Sequence, residues 1–359
     1  MRFLKLIPKK FLGIDIGTFA IKIAELSSWA RRIKLENYGE IPASALYQRP
    51  FRTFEKSTLL LSTEDIARAI KAVLEEAKIK SRECVFSIPD FSTFFTTFEL
   101  PGMTAEELPQ AIRAEARKHV PIPLGEVTLD WQLIGGKVSD QRDTELKILL
   151  VAVPNEVINQ YQKIALISDL KLLALEAEVF GLVRALIEEE KRTIGLIDIG
   201  ARSTTCSIID KRILKISHSF DISGSDLTER IAKGLSVDYE RAEVLKKKYG
   251  ISTSPQLGLE GEHVREILIP LIGLIIRESE KIFKNFYLKE GKEIEKIIIA
   301  GGTVLLPGLL EYFQKYFKKE VEIANPFSKI FYPPILEKTL KEIGPSYAIA
   351  VGVALRGLE

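Results

Sequence analysis

Two short strings in the chain place an acid where an acid is expensive. Phe11 to Leu26 reads FLGIDIGTFAIKIAEL, and Thr193 to Asp210 reads TIGLIDIGARSTTCSIID. Each is an apolar run, then Ile-Asp-Ile-Gly, a few turn residues and a second β-branched run. That pattern predicts a hairpin whose first strand is buried on both faces. A carboxylate on such a strand, at Asp15 and at Asp198, must meet a cation or hydrogen-bond donors. The glycine that follows, Gly17 or Gly200, permits a positive φ, so that successive backbone N–H groups can point at one anion. An Asp beside such a turn is suited to hold the water shell of Mg²⁺ while the turn amides hold phosphate oxygens. Two copies imply two similar half-sites facing each other across a cleft. A third string, KIIIAGGTVLLPGLLEYF from Lys296 to Phe313, sends a strand into Gly301-Gly302, a turn and a helix. Without side chains there, a flat base or a ribose can lie against backbone at a topological edge.

The elements that must position these strings follow in order. Ile33 to Ile41 is expected as a third strand, and Ser62 or Thr63 caps a helix to about Lys78. Cys84 to Ile88 is a short strand. A change of texture then marks an inserted β-α-β-β-α-β unit. It comprises strands at Thr93–Leu100, Val127–Ile134 and Glu145–Val153, a helix opened by a Thr104/Glu107 capping box, a helix from Asn155, and a strand near Lys171–Glu176. Phe94, Phe95 and Phe98 alternate too irregularly to define one face. Glu178 to Glu190 predicts a helix returning to the first domain. After the second hairpin, Ile213 to Ile222 matches the earlier third strand. Helices are predicted from Ser223–Ser225, from Val237 or Asp238, and from Glu262 to Leu288, with a loop at Ile251–Gly261. Pro326 to Ile335 reads as loop, and Tyr347 to Leu355 as a closing helix.

Composition narrows the function classes. At 359 residues the chain has room for two or three domains. Lys plus Arg (51) nearly balance Asp plus Glu (49), so there is no electrostatic ground for a nucleic-acid partner. Cys84 and Cys206 sit far apart in apolar runs, which argues against a disulfide framework or a zinc site and fits a reducing cytoplasm. The longest apolar run, Ile267 to Ile276, carries Pro270 and Gly273 and is too short to span a bilayer. His119, His218 and His263 are unclustered, so no metal site or catalytic triad is built from them. The opening MRFLKLIPKKF has no signal-peptide core; it is expected as an arm packed on the first domain, with contact to an acidic membrane surface as the alternative. EEEKR, Glu188 to Arg192, is expected as a solvated helix end.

Hairpin, inserted unit, second hairpin and strand–Gly-Gly–helix, in that order, resemble the actin, Hsp-type chaperone and sugar-kinase ATPase superfamily. Within it the chain resembles the PilM family of type IV pilus assembly, near relatives of the cell-division protein FtsA. The residues that carry this are GIDIGTFAIKIAEL with Lys22 and Glu25 after the turn, ELPGMTAEELPQAIRAEARKHVPIPLGEVTLDWQLI in the inserted unit, and the closing SYAIAVGVALRG. The resemblance implies an α/β, actin-like (ribonuclease H-like) ATPase fold. Two duplicated βββαβα-type halves would flank a nucleotide cleft, with a small inserted α+β subdomain. The implied divisions are 1–92 and 171–193 for the first domain, 93–170 for the insertion, 194–224 and 291–345 for the second domain, 225–290 for its helical part, and 346–359 for the closing helix.

The resemblance also assigns residues. ATP and Mg²⁺ would be held by Asp15, Gly17, Thr18 and Lys22 in the first half and by Asp198, Gly200, Ser203 and Thr204 in the second. Asp15 and Asp198 would reach the metal through water. Gly301, Gly302 and Val304 would form the adenosine loop, and Glu243 and Lys246 would contact ribose and adenine, with a solvated helix face as an equal reading for that pair. Glu178 would orient an attacking water, though a first-turn helix acid is an equal reading. Arg202 is a departure, a cation where relatives have small residues; it either binds phosphate or faces solvent. Turnover is expected to be weak or absent. The implied partner is the N-terminal cytoplasmic peptide of a PilN-like membrane protein, taken in a groove between first domain and insertion at the inner face of the membrane. The pilus motor ATPases and further copies of the chain are additional candidates. Two alternatives remain at this point. An FtsA-like filament usually adds a linker and an amphipathic helix beyond where this chain stops, and a sugar or acetate kinase needs a larger first domain and a catalytic acid.

Overall fold

The Ile-Asp-Ile-Gly hairpins form the centres of two sheets built to one plan. The computed structural model describes residues 9–30, 32–45, 59, 61–138, 144–187, 190–254 and 258–359. The expected N-terminal arm, part of the irregular stretch at 42–61 and Glu188–Glu189 lie outside them. In the first half, β1 (Lys9–Ile16) pairs antiparallel with β2 (Ala20–Trp29), and β3 (Arg32–Pro42) extends the hairpin. On the other side of β1, β4 (Glu83–Ile88) and β8 (Lys171–Ala177) run parallel, giving the order β3-β2-β1-β4-β8. The second half repeats this with β9 (Thr193–Ile199), β10 (Thr204–Asp210), β11 (Ile213–Phe220), β12 (Lys296–Ala300) and β13 (Glu320–Ile323), ordered β11-β10-β9-β12-β13. The central strands are flanked on both sides, so Phe11 to Ile16 of β1 are all buried, as a strand covered on both faces requires.

Helices close each half. Ser62 caps α1 (Thr63–Glu76) by accepting the Asp65 N–H at 3.1 Å, and Ile66, Ile70, Val73 and Leu74 turn one face inward. The second half carries α5 (Gly224–Leu235), α6 (Tyr239–Tyr249), α7 (Gly258–Glu290) and α8 (Leu309–Phe317) around a core that includes Ile197, Ile208, Leu268, Ile276 and Phe313. The α7 helix starts inside the segment expected as loop and runs through Pro270.

The inserted unit is smaller than the sequence pattern indicates. Its separate sheet holds only β5 (Phe94–Leu100), β6 (Val127–Gly135) and β7 (Leu146–Pro154), in the order β5-β7-β6, backed by α2 (Leu108–His119). The next helix, α3 (Asn155–Ile167), sends Val157, Tyr161 and Ile164 into the first-half core beside α1, and β8 pairs with β4. Burial and strand pairing therefore assign the last α-β of the expected β-α-β-β-α-β unit to the first half. The capping box does form, with Thr104 N–H on Glu107 at 3.0 Å, but in the turn before α2. Of the alternating phenylalanines, Phe98 is buried in the inserted core, while Phe95 meets Phe180 on the other side.

The closing helix α9 (Glu337–Leu358) begins ten residues before the Tyr347 start expected from the sequence, because the helix continues through Pro345. A proline inside a helix removes one amide donor, and the Pro345 carbonyl is used elsewhere, accepting the Gly301 N–H at 3.0 Å. α9 lies directly on β1: a Cβ at Gly13 would sit 1.9 Å from the Ala350 carbonyl oxygen, a contact only glycine permits. Its other side meets α4 (Glu178–Leu186). Through α9 the Gly-Gly loop of the second half is tied to the central strand of the first.

Candidate functional site

The predicted residues form two groups, each at the end of its own central strand. Asp15 is 4 % exposed, and the Ser87 hydroxyl on the neighbouring β4 donates to its Oδ1 at 2.8 Å. Lys22 stands directly opposite Asp15 across the β1–β2 hairpin, on the same sheet face, and Thr18 is buried in the turn. The equivalent position opposite Asp198 is Thr205, so the two halves are not chemically equal. Gly17 and Gly200 do not adopt the positive φ expected of them. Space is what favours glycine there: a Cβ at Gly17 would clash at 2.8 Å with the Ala20 carbonyl oxygen, and one at Gly200 would sit tightly, 3.0 Å from that of Ser203.

Three segments converge on Asp198. Gly301, at φ +93°, brings its backbone so close that a Cβ would lie 2.6 Å from Asp198 Oδ1 and 2.4 Å from the Ile199 carbonyl. The start of α5 closes on the same turn, its Gly224 and Ser225 N–H groups donating to the carbonyls of Gly200 (2.9 Å) and Ala201 (3.0 Å). Thr303 follows Gly302 and presents its hydroxyl to Gly224. Other predicted residues serve the frame. The Thr204 hydroxyl is fully buried and donates to the Ile222 carbonyl, and the Val304 side chain packs in the second-half core. The Ser203 carbonyl closes the turn by accepting the Gly200 N–H at 3.0 Å. Arg202 is half-buried beside it.

Glu243 and Lys246 face each other. Lys246 Nζ lies 2.6 Å from Glu243 Oε2 and also donates to Thr228 Oγ1 (2.7 Å) and the Gly224 carbonyl (2.9 Å). Burial pushes the Lys246 ammonium below its ordinary pKa; Glu243, where burial alone would raise it, is held low by the Lys246 charge. The pair thus braces α5 and α6 behind the loop. Glu178 is buried at the first turn of α4, and its Oε2 accepts the Asp90 N–H at 3.2 Å. Asp90 Oδ1 in turn accepts the Val179 N–H at 3.1 Å, acting as the missing N-cap. Sequence reasoning missed Ser87 and Asp90. The available signals were a lone hydroxyl in an apolar strand and an Asp directly after Pro89.

These donors fit a hydrated magnesium nucleotide. They are carboxylates, hydroxyls and backbone amides, with no thiol or imidazole among them. Among the described residues, no group of three or more His, Cys, Asp or Glu side chains is placed to hold a metal ion.

A groove of about 1140 Å³ lies apart from these strand ends, between the inserted sheet, α4 and the end of α9. Asp130, Trp131 and Gln132 of the edge strand β6 form one wall, and Phe180 and Val183 of α4 the other. Lys211 and Arg212, at the β10–β11 turn with φ of 51° and 68°, stand at its edge. Burial disfavours the Arg184 charge in this wall, but the hydrogen bonds it donates to Glu176 and Glu359, with their negative charges, outweigh that and keep its pKa above the ordinary arginine value. Among the described residues, no helix is long and apolar enough to cross a membrane.

Comparison with known proteins agrees with this architecture. The chain is similar to a PilM-PilN type IV pilus biogenesis complex, with a TM-score of 0.83 and 24% identity over 97% of this chain and 98% of that one. It is similar to MreB5 of Spiroplasma citri bound to ADP, with a TM-score of 0.52 and 12% identity over 97% and 95% of the two chains. Cell division protein FtsA of Streptococcus pneumoniae serotype 2 (strain D39) is 21% identical over 354 residues, 88% of this chain and 75% of that protein. The fold is therefore actin-like, as expected. The family model described as type IV pilus assembly protein PilM matches residues 13–358. The chain belongs to the PilM family of type IV pilus assembly proteins.

Proposed function

We propose that the chain is an ATP-binding scaffold of the pilus assembly platform at the inner face of the membrane, and that it holds the N-terminal peptide of a PilN-like membrane protein. The observation that carries the nucleotide reading is the convergence on Asp198 of the Gly200 turn, the Gly301 loop and the N-terminus of α5. Asp15 and Asp198 would hold the waters of Mg²⁺, the two turns the phosphates, and Gly301-Gly302 the adenosine. Bound magnesium would neutralise phosphate charge. The chain's own part is to orient the nucleotide and, through Glu178, to position a water where turnover occurs. A structure of the same fold, MreB5 of Spiroplasma citri, is bound to ADP, which supports this.

The groove between α4 and β6 suits an extended peptide, because the edge of β6 offers unpaired backbone and Trp131 and Phe180 offer apolar contact. A family relative solved as a PilM-PilN complex supports that choice of partner. The test of the nucleotide site is calorimetry with Mg²⁺-ATP. Asp15→Ala and Asp198→Ala are each expected to abolish binding while the far-ultraviolet circular dichroism stays unchanged. Wild-type affinity in both variants would overturn the assignment.

A further inference from the structure

A second groove, of about 570 Å³, lies on the second half and shares no lining residue with the first. It runs between α7, the end of α8 and the segment that leads into β12. Its floor is apolar. Phe283 and Phe317 meet at 5.8 Å between ring centres, Ile294 is 3 % exposed, and the tip of Phe283 rests on Gly195 of β9. Tyr287 and Tyr316, 50 % and 42 % exposed, form walls over that floor.

The rim is cationic. Arg277, Lys281 and Lys284 are spaced four and three residues apart on α7, which puts them on one stripe. Lys319 stands across the groove. The two carboxylates present are engaged: Glu280 accepts the Tyr316 hydroxyl at 2.8 Å, and Glu293 lies 3.2 Å from Lys319. Lys281 is paired with Glu278 at 2.6 Å. Arg277 and Lys284 form no ion pair among the described residues.

We propose that this groove docks an acidic segment of a partner protein, with aromatic or aliphatic side chains on the Phe283–Phe317 floor and carboxylates against Arg277 and Lys284. Charge complementarity selects the occupant: Arg277, Lys281, Lys284 and Lys319 outnumber the lining acids Glu280 and Glu293. The shape selects a polypeptide over a lipid surface, since the apolar groups lie in a concavity that a flat bilayer does not enter.

The test uses the whole chain and a short labelled amphipathic peptide of Glu, Leu and Phe, followed by fluorescence anisotropy. A Lys-for-Glu peptide is the control. The Glu peptide is expected to bind saturably, more weakly as salt rises, and the Lys peptide not to bind. Arg277→Glu with Lys284→Glu should weaken binding about tenfold or more, and Tyr287→Ala should weaken it with a smaller change in salt dependence. All three side chains are exposed on α7, and an unchanged melting temperature verifies the fold. No saturable binding, equal binding of both peptides, or unaltered affinity in the double variant overturns the proposal. So does binding only to phosphatidylglycerol vesicles, which would assign the surface to the membrane instead.

Discussion

Gly301 is the residue on which the candidate nucleotide site depends most. Its φ is positive, and a Cβ there would lie 2.4 Å from the Ile199 carbonyl oxygen, which leaves no room for a side chain. Gly301→Ala is expected to cost about 1–3 kcal/mol of stability and to lower nucleotide affinity more than about tenfold, read by thermal melting and by calorimetry. Ser87→Ala removes a donor from a buried carboxylate and should cost about 1–3 kcal/mol, with Asp15 the group left unsatisfied. Asp15, Asp198 and Gly301 stand out in the sequence because an acid or a bare backbone is visible as a residue type in an apolar run, although of the two acids only Asp15 is buried and Asp198 is half-buried. Ser87 and Asp90 are not. Each acts across a strand boundary, and only the β1–β4–β8 pairing brings it to Asp15 or to Glu178. For Glu243 and Lys246 the sequence offers ribose and adenine contacts or a solvated helix face; packing shows that they bond to each other and to Thr228.

At the scale of elements, the hairpins are the easiest to read, since a continuous apolar run ending in Ile-Asp-Ile-Gly and followed by a second β-branched run reads as a buried hairpin. The end of the inserted unit was hidden, because α3 carries the same apolar spacing whichever core it faces. The start of α9 was hidden by Pro345. One link between elements gives a pH prediction. Glu190 precedes β9 and is clasped by Arg192, whose hydrogen bonds pull its pKa down to about 2 from 4.5. Its folded pKa is below its unfolded one, so its contribution is complete above pH 4.5 and is lost as pH falls towards 2. Glu190→Gln is therefore expected to lower the melting temperature by about 1–3 °C at pH 7 and to change it little near pH 2. An equal loss at both values would refute the clasp.

Across the whole molecule, one apolar cluster joins the parts. Ile134 and Leu149 of the insertion, Val179 and Leu182 of α4, and Ile194, Leu214 and Ala300 of the second half pack together. Lys147 of β7 adds an ion pair of 2.7 Å to Glu290 at the end of α7. These contacts form a contiguous path from the second half to the insertion and the groove beside β6, and the proposed coupling of nucleotide to peptide rests on that path. Such coupling is a population shift and must act in both directions. Glu290→Ala should reduce the effect of nucleotide on peptide binding while leaving each separate affinity within about threefold. The most direct measurement is calorimetric titration of the chain with the N-terminal peptide of a PilN-like protein from the same genome, with and without Mg²⁺-ATP. The account predicts saturable binding whose affinity shifts with nucleotide. No binding in either state would contradict it.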